Sequence, residues 1–147
     1  MTNEKQEIND FLVTTFNHIL NMHEKALESV TGGLLSIKEI HFIEAVFKSK
    51  AVGENCFSVI ANMLGVTIGT LTTSYNRLES KGYLYKEQDT EDKRIYYIMP
   101  TELAEIVNTA HAKFHAELID GVVQKFPAND LTELASMIKT IKKHFGF

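Results

Sequence analysis

The densest chemistry in this 147-residue chain lies between Thr67 and Arg94. If Leu71, Tyr75 and Leu78 form the inward stripe of a helix, the opposite face presents Gly69, Thr70, Thr72, Thr73, Asn76 and Arg77. An ordinary solvated face mixes Glu and Lys; this one offers hydroxyls, an amide and a guanidinium. Hydroxyls bind phosphates or base edges, Asn can read adenine, Arg can read guanine, and a glycine permits close backbone approach. Thr67 is placed to cap the helix, and Lys81, Lys93 and Arg94 bring positive charge nearby. These ten residues are the candidate DNA-binding set, with Asp92 placed to restrain Arg94. A second constellation is His111-Ala112-Lys113-Phe114-His115. Histidines four apart share a helix face and can hold one ion, but tetrahedral zinc requires two further ligands. Spacing alone favours packed or solvated histidines.

Other chemistries find little support. There is no phosphate loop and no GxSxG elbow, and HAKFH lacks the glutamate that makes HExxH a metalloprotease site. An enzyme is therefore not expected. The single cysteine, Cys56, excludes an intramolecular disulfide and a Cys-rich zinc site, and reads as a small core residue. With 44% apolar and 23% charged residues, the chain has the balance of a soluble globular domain. The segment MTNEKQEIND is polar and acidic, and no apolar run approaches the ~20 residues that span a bilayer. A cytoplasmic location and no membrane partner are expected. The net charge of −4 means that any DNA-facing charge must be local, drawn from Arg77, Lys81, Lys86, Lys93 and Arg94.

The elements that must position these residues follow from periodicity. Apolar residues from Ile8 to Val30 recur at helical spacing, and Thr31-Gly32-Gly33 stops the run. Ser36-Ile37-Lys38-Glu39 has the form of a capping box opening a second helix that ends near Phe47. SVIANMLGVTIGTLTTSYNRLESKGYL reads as two short helices across a tight turn at Gly65, with Gly82 placed to end the second. Tyr83–Lys86 and Arg94–Met99 suggest a β-hairpin around a charged tip. Thr101 can cap a helix running to about Phe126, and Pro127 breaks it. Leu131, Leu134, Ile138, Ile141 and Phe145 form a seam at alternating spacings of three and four. That seam would be left bare in a monomer, so a homodimer is expected.

GVTIGTLTTSYNRLESKGYL, followed by DTEDKR and Thr101, resembles the MarR family of winged helix-turn-helix regulators. That pattern has a recognition helix ending Leu-x-x-x-Gly-Tyr and a wing marked Asp-x-x-Asp-x-Arg. The chain departs from it at Glu91, where arginine is frequent, and in Pro100-Thr101-Glu102-Leu103-Ala104, where Leu-Thr-x-x-Gly is usual. The resemblance implies a mainly α fold with a small β-hairpin wing and long N- and C-terminal dimerisation helices. It implies a single domain over 1–147, with dimerisation helices at 1–34 and 101–147 and a DNA-binding head at 36–100. The implied function is repression by a homodimer on an inverted repeat in double-stranded DNA, through promoter occlusion. The two recognition helices would enter successive major grooves roughly 34 Å apart.

Within the family, NDFLVTTFNHILNMHEKAL, LSIKEIH and VTIGTLTTSYNRLESKGY look most like the fatty-acid-synthesis repressors. This implies an acyl ligand carried on acyl carrier protein as partner, with Phe16, Leu20 and Phe42 lining an apolar pocket. Glu24, His41, His111 and His115 fall where the family's zinc-uptake repressors place one metal site, so zinc is the alternative effector. The second zinc site of that group has no counterpart, since Ile40 and Ala110 occupy its carboxylate positions. No cofactor is required by either reading. A dimeric adaptor that does not bind DNA would leave the polar face of the recognition helix unexplained.

Overall fold

The computed structural model describes residues 2–146. The chain forms α1 (Asn3–Asp10), a π-helical turn (Phe11–Thr15), α2 (Phe16–Thr31), α3 (Ile37–Ala51), α4 (Phe57–Leu64), α5 (Ile68–Ser80), β1 (Leu84–Gln88), β2 (Tyr96–Pro100), α6 (Glu102–Val123) and α7 (Ala128–His144). The mainly helical fold with one hairpin is the one expected. Two compact units emerge, one ending at Ala112 and the other beginning at Lys113, so the boundary falls within α6. No single helix among the described residues is long and apolar enough to cross a membrane.

Local chemistry sets most boundaries. Gly32, at φ 60, closes α2 by donating its N–H to Glu28 O. Ser36 and Glu39 form the reciprocal capping box that starts α3. That helix continues past Phe47 to Ala51, because the apparently polar FKSKA segment buries Ser49, whose hydroxyl donates to Ala45 O at 2.7 Å. The first helical segment begins at Asn3 rather than Ile8 and carries a π turn at FLVTT, a run without glycine or proline to mark it.

α4 and α5 turn by 103° across Gly65, which takes the left-handed conformation; this is the crossing expected of a helix-turn-helix. Leu71, Tyr75 and Leu78 of α5 are buried with Ile40, Phe42, Ile43 and Val46 of α3, Ile60 of α4, Ile98 of β2 and Val107 of α6. Each large side chain so buried contributes roughly 1.5–3 kcal/mol, and together they fix which face of α5 looks outward. The hairpin pairs Leu84 with Pro100 through Gln88 with Tyr96, a register displaced from Tyr83–Lys86 and Arg94–Met99. Tyr83 falls outside the ladder because its N–H closes the end of α5 on Leu78 O, and Ile95 because its N–H bonds Asp92 O in the tip.

In the unit from Lys113 onward, α7 contains no buried residue. Leu131 and Leu134 are half-buried, whereas Ile138, Ile141 and Phe145 are exposed.

Candidate nucleic-acid interface

Thr67 caps α5 by accepting from Thr70 N at 3.1 Å. From there Thr70, Thr72, Thr73, Asn76 and Arg77 are all exposed. Thr72 and Thr73 donate their hydroxyl hydrogens to Ile68 O at 2.8 Å and Gly69 O at 3.2 Å. Their oxygens keep acceptor capacity, and each residue carries a methyl group, suiting them to amino groups and thymine methyls. A Cβ on Gly69 would meet only Thr67 Oγ1, at 3.9 Å, so the backbone there is open to a close partner. Behind this face, Tyr75 donates to Glu79 Oε1 at 2.5 Å; burial and the neighbouring carboxylate push its phenol above the ordinary value.

The wing tip is organised by two carboxylates. Asp89 accepts from Glu91 N and Asp92 N, both at 2.8 Å, and from the Tyr97 hydroxyl at 3.0 Å. Asp92 accepts from Arg94 N, from its Nε at 3.0 Å and from its Nη2 at 2.9 Å. Arg94 is thereby aimed while its side chain remains 90% exposed. Asp92 supports Arg94 as expected; Asp89, which by charge alone opposes DNA, spends its oxygens on folding the tip. Lys93 reaches Asp89 O at 3.2 Å and stays exposed. Lys86, one of the residues from which DNA-facing charge is expected, lies 5.1 Å from the Tyr96 ring centroid and 6.0 Å from that of Tyr75. With Arg94 it flanks a depression of about 400 Å³ between the start of α4 and the wing, where Cys56, Phe57, Ser58 and Ile68 form the other wall. Cys56 is partly exposed at the α4 N-cap, not a core residue.

Hydrogen bonds from Arg94 hold Asp92 below the ordinary aspartate value, and backbone N–H groups of Asp92 and Glu91 do the same for Asp89. A carboxyl with a depressed folded value contributes order above its ordinary value, and that order is lost as pH falls through the depressed one. An NMR titration of the Glu91 and Arg94 amides should therefore show a midpoint below the ordinary aspartate value. A midpoint at or above it would mean that these carboxylates do not hold the tip.

The structure places several of the expected site residues differently. Lys81, expected on DNA, here bonds Leu34 O and Glu39 Oε1 with its ammonium, each at 2.8 Å. Glu24 does not join the histidines; it is exposed and lines a separate depression with Leu27, Glu28 and Leu35. Its neighbour His23 is buried instead and bonds His111, Nε2 to Nδ1, at 2.7 Å. A register of one residue on a helix moves a side chain by about 100°, which decides the exchange. His41 lies 5.8 Å from His23 and 5.5 Å from His111 between ring centroids, and Glu44 Oε2 lies 3.5 Å from His111 Nε2. His115 follows one turn later on α6, exposed and beyond Ala112. Imidazole and carboxylate are zinc-type donors, and two nitrogens on one tetrahedral zinc stand about 3.3 Å apart given bonds of ~2.0–2.1 Å. The 2.7 Å between His23 and His111 is a hydrogen-bond distance. Finally, Phe16, Leu20 and Phe42 do not form one wall: Phe42 is 2% exposed in the core and Phe16 is 59% exposed.

The model of the MarR family matches residues 56–96, the stretch that holds α4, α5 and most of the wing. Over this stretch the chain is similar to the MarR family. Solved structures agree over nearly the full length. Streptococcus pneumoniae FabT in complex with DNA is 26% identical, covers 96% of both chains and superposes with a TM-score of 0.82. AbsC, a MarR family transcriptional regulator from Streptomyces coelicolor, is 19% identical, with 99% of this chain and 96% of that one covered at a TM-score of 0.74. The S. aureus MepR–DNA complex is 18% identical, with 93% and 97% covered at 0.69. No curated protein sequence matches the chain. What this chain shares with these structures is the winged helix-turn-helix fold.

Proposed function

We propose that this chain is a MarR-family regulator that represses transcription as a homodimer on an inverted repeat, with α5 in the major groove and the wing against the flanking backbone or minor groove. The observation that carries this reading is the outward face of α5, where six consecutive-turn positions from Gly69 to Arg77 are exposed, short or polar, and backed by a buried apolar stripe. The 26% identity to FabT, solved on DNA, supports it. The contact set is Thr67, Gly69, Thr70, Thr72, Thr73, Asn76 and Arg77 on the helix side and Lys93 and Arg94 on the wing. Selection of bound sequences from a random duplex pool, followed by anisotropy titration, should return an inverted repeat. Recovery of no preferred sequence would overturn the proposal.

The signal is an acyl group, presented by acyl carrier protein, on the resemblance of NDFLVTTFNHILNMHEKAL and VTIGTLTTSYNRLESKGY to the fatty-acid-synthesis repressors. Of the three expected pocket residues, Phe42 borders a depression of about 380 Å³ between α3 and α5, with Leu64, Val66 and Leu71 as its other apolar lining. Long-chain acyl carrier protein should change operator affinity, and unloaded carrier should not.

A second reading, zinc as effector, is favoured by one observation, the buried His23–His111 contact with the Glu44 carboxylate 3.5 Å from His111 Nε2 and the His41 ring beside it. Titration calorimetry with zinc should then give a site lost in both His111→Ala and His23→Ala and retained in Glu24→Gln. Loss in Glu24→Gln with retention in His23→Ala would restore the ligand set read from the sequence.

A further inference from the structure

Lys81 stands at the C-cap of α5, where a basic residue would ordinarily be assigned to a phosphate. Its surroundings say otherwise. The ammonium donates to Leu34 O and to Glu39 Oε1, both at 2.8 Å, and the side chain is only one-third exposed. Glu39, whose side chain is 13% exposed, uses its other oxygen to accept from Ser36 N at 2.9 Å, while Ser36 Oγ accepts from Glu39 N at 3.2 Å. One carboxylate thus joins the cap of α3 to the end of the recognition helix. Burial disfavours charge on Glu39, yet the bonds from Lys81 and Ser36 keep its pKa below the ordinary value. Turning Lys81 toward a phosphate would leave that carboxylate largely buried with its cation removed, which is costly.

The residues just after Lys81 are held from the other side. Gly82 takes φ 83, and its carbonyl accepts from Thr101 Oγ1 at 2.8 Å. Tyr83 O accepts from Thr101 N and Oγ1, both at 3.0 Å, and Thr101 Oγ1 in turn accepts from Ala104 N at the start of α6. The segment Lys81-Gly82-Tyr83 is therefore pinned between the α2–α3 turn and the cap of α6.

We infer that Lys81 is a positioning residue for DNA reading: with Glu39 and the Leu34 carbonyl it sets the angle of the recognition helix, and it does not contact DNA. The inference rests on the DNA-reading proposal above. It follows because sequence is read by directional bonds from Asn76 and Arg77, one turn upstream on the same helix, so a change in helix angle costs discrimination, whereas phosphate contacts carry no sequence information. Lys81 and Glu39 then act as one unit, and the removal of either should have the same consequence for sequence discrimination.

The test uses the full chain with Lys81→Met, Glu39→Gln and the double variant. Affinity is measured by fluorescence anisotropy for the selected inverted repeat and for a random duplex over a series of salt concentrations. Each single variant should lose operator affinity roughly tenfold, the size of one charge-assisted hydrogen bond. Random-duplex affinity and the slope of log affinity against log salt should be unchanged, and the double variant should be no worse than either single. If Lys81 touches a phosphate instead, Lys81→Met will weaken both duplexes alike and flatten the salt slope by about 0.9, while Glu39→Gln will be neutral or strengthen binding. Either of those results overturns the inference. Should Lys81→Met fail to fold by circular dichroism, Glu39→Gln decides alone: full operator affinity in that variant refutes the positioning role. Wild type that prefers no sequence would instead sink the DNA-reading proposal, so the two failures are distinguishable.

Discussion

Ile138→Asp should convert the protein to monomers and remove most of its operator affinity. Ile138 is 46% exposed on α7, a helix with no buried residue, and Met137, Ile141 and Phe145 are exposed with it. Such a stripe on a helix end requires a partner surface, and a carboxylate in its middle would have to be desolvated for the partner to close. The loss at DNA should be large because two linked heads bind one inverted repeat with an avidity gain of roughly 10²–10⁴ over one head. Sedimentation would report the mass, and anisotropy the affinity for full and half operators. Monomers that bind a half site as well as wild type does, but have lost the full repeat's advantage, are the expected result. A variant that remained a dimer with undiminished operator binding would place the interface elsewhere.

Asn76→Ala and Arg77→Ala should each cost about 1–3 kcal/mol on the operator and relax the preference at one base pair per half site. Both side chains are exposed on a helix whose opposite face is locked by buried Leu71, Tyr75 and Leu78, so no alternative rotation of α5 could supply a substitute reader. Arg94→Ala should behave differently. Its guanidinium is aimed outward from the wing tip by Asp92, so on the proposed binding mode its removal should weaken all duplexes and reduce the salt slope by about 0.9 for one phosphate contact. Equal losses on operator and random DNA for Asn76→Ala would remove that residue from the reading set.

Much of this architecture can be read locally. Ser36 and Glu39 announce the capping box, Thr67 announces the start of α5, and Gly65 and Gly82 mark turns that require positive φ. The apolar spacing of Leu71, Tyr75 and Leu78 separates the inward from the outward face, and the exposed residues of α5 then follow without further information. These features are legible because capping, helical periodicity and left-handed turns depend on residues within a few positions of one another. The Asp92–Arg94 pair belongs to the same class, two residues apart within one turn.

Local pattern therefore specifies the order of elements, the outward face of α5 and the wing. Packing between distant segments settles which charged and aromatic side chains are already engaged. Lys81 reads as a DNA contact until α3 is seen to present Glu39 and the preceding turn to present Leu34 O, partners more than forty positions away. Glu24 and His23 are adjacent, and their exchange depends on how α2 is rotated against α3 and α6, which no local pattern specifies. Phe16 and Phe42 have equal hydrophobicity, yet one lies in the core and the other faces solvent, because burial is a property of what packs above a residue. Local rules place a side chain on a face; long-range packing determines what that face meets.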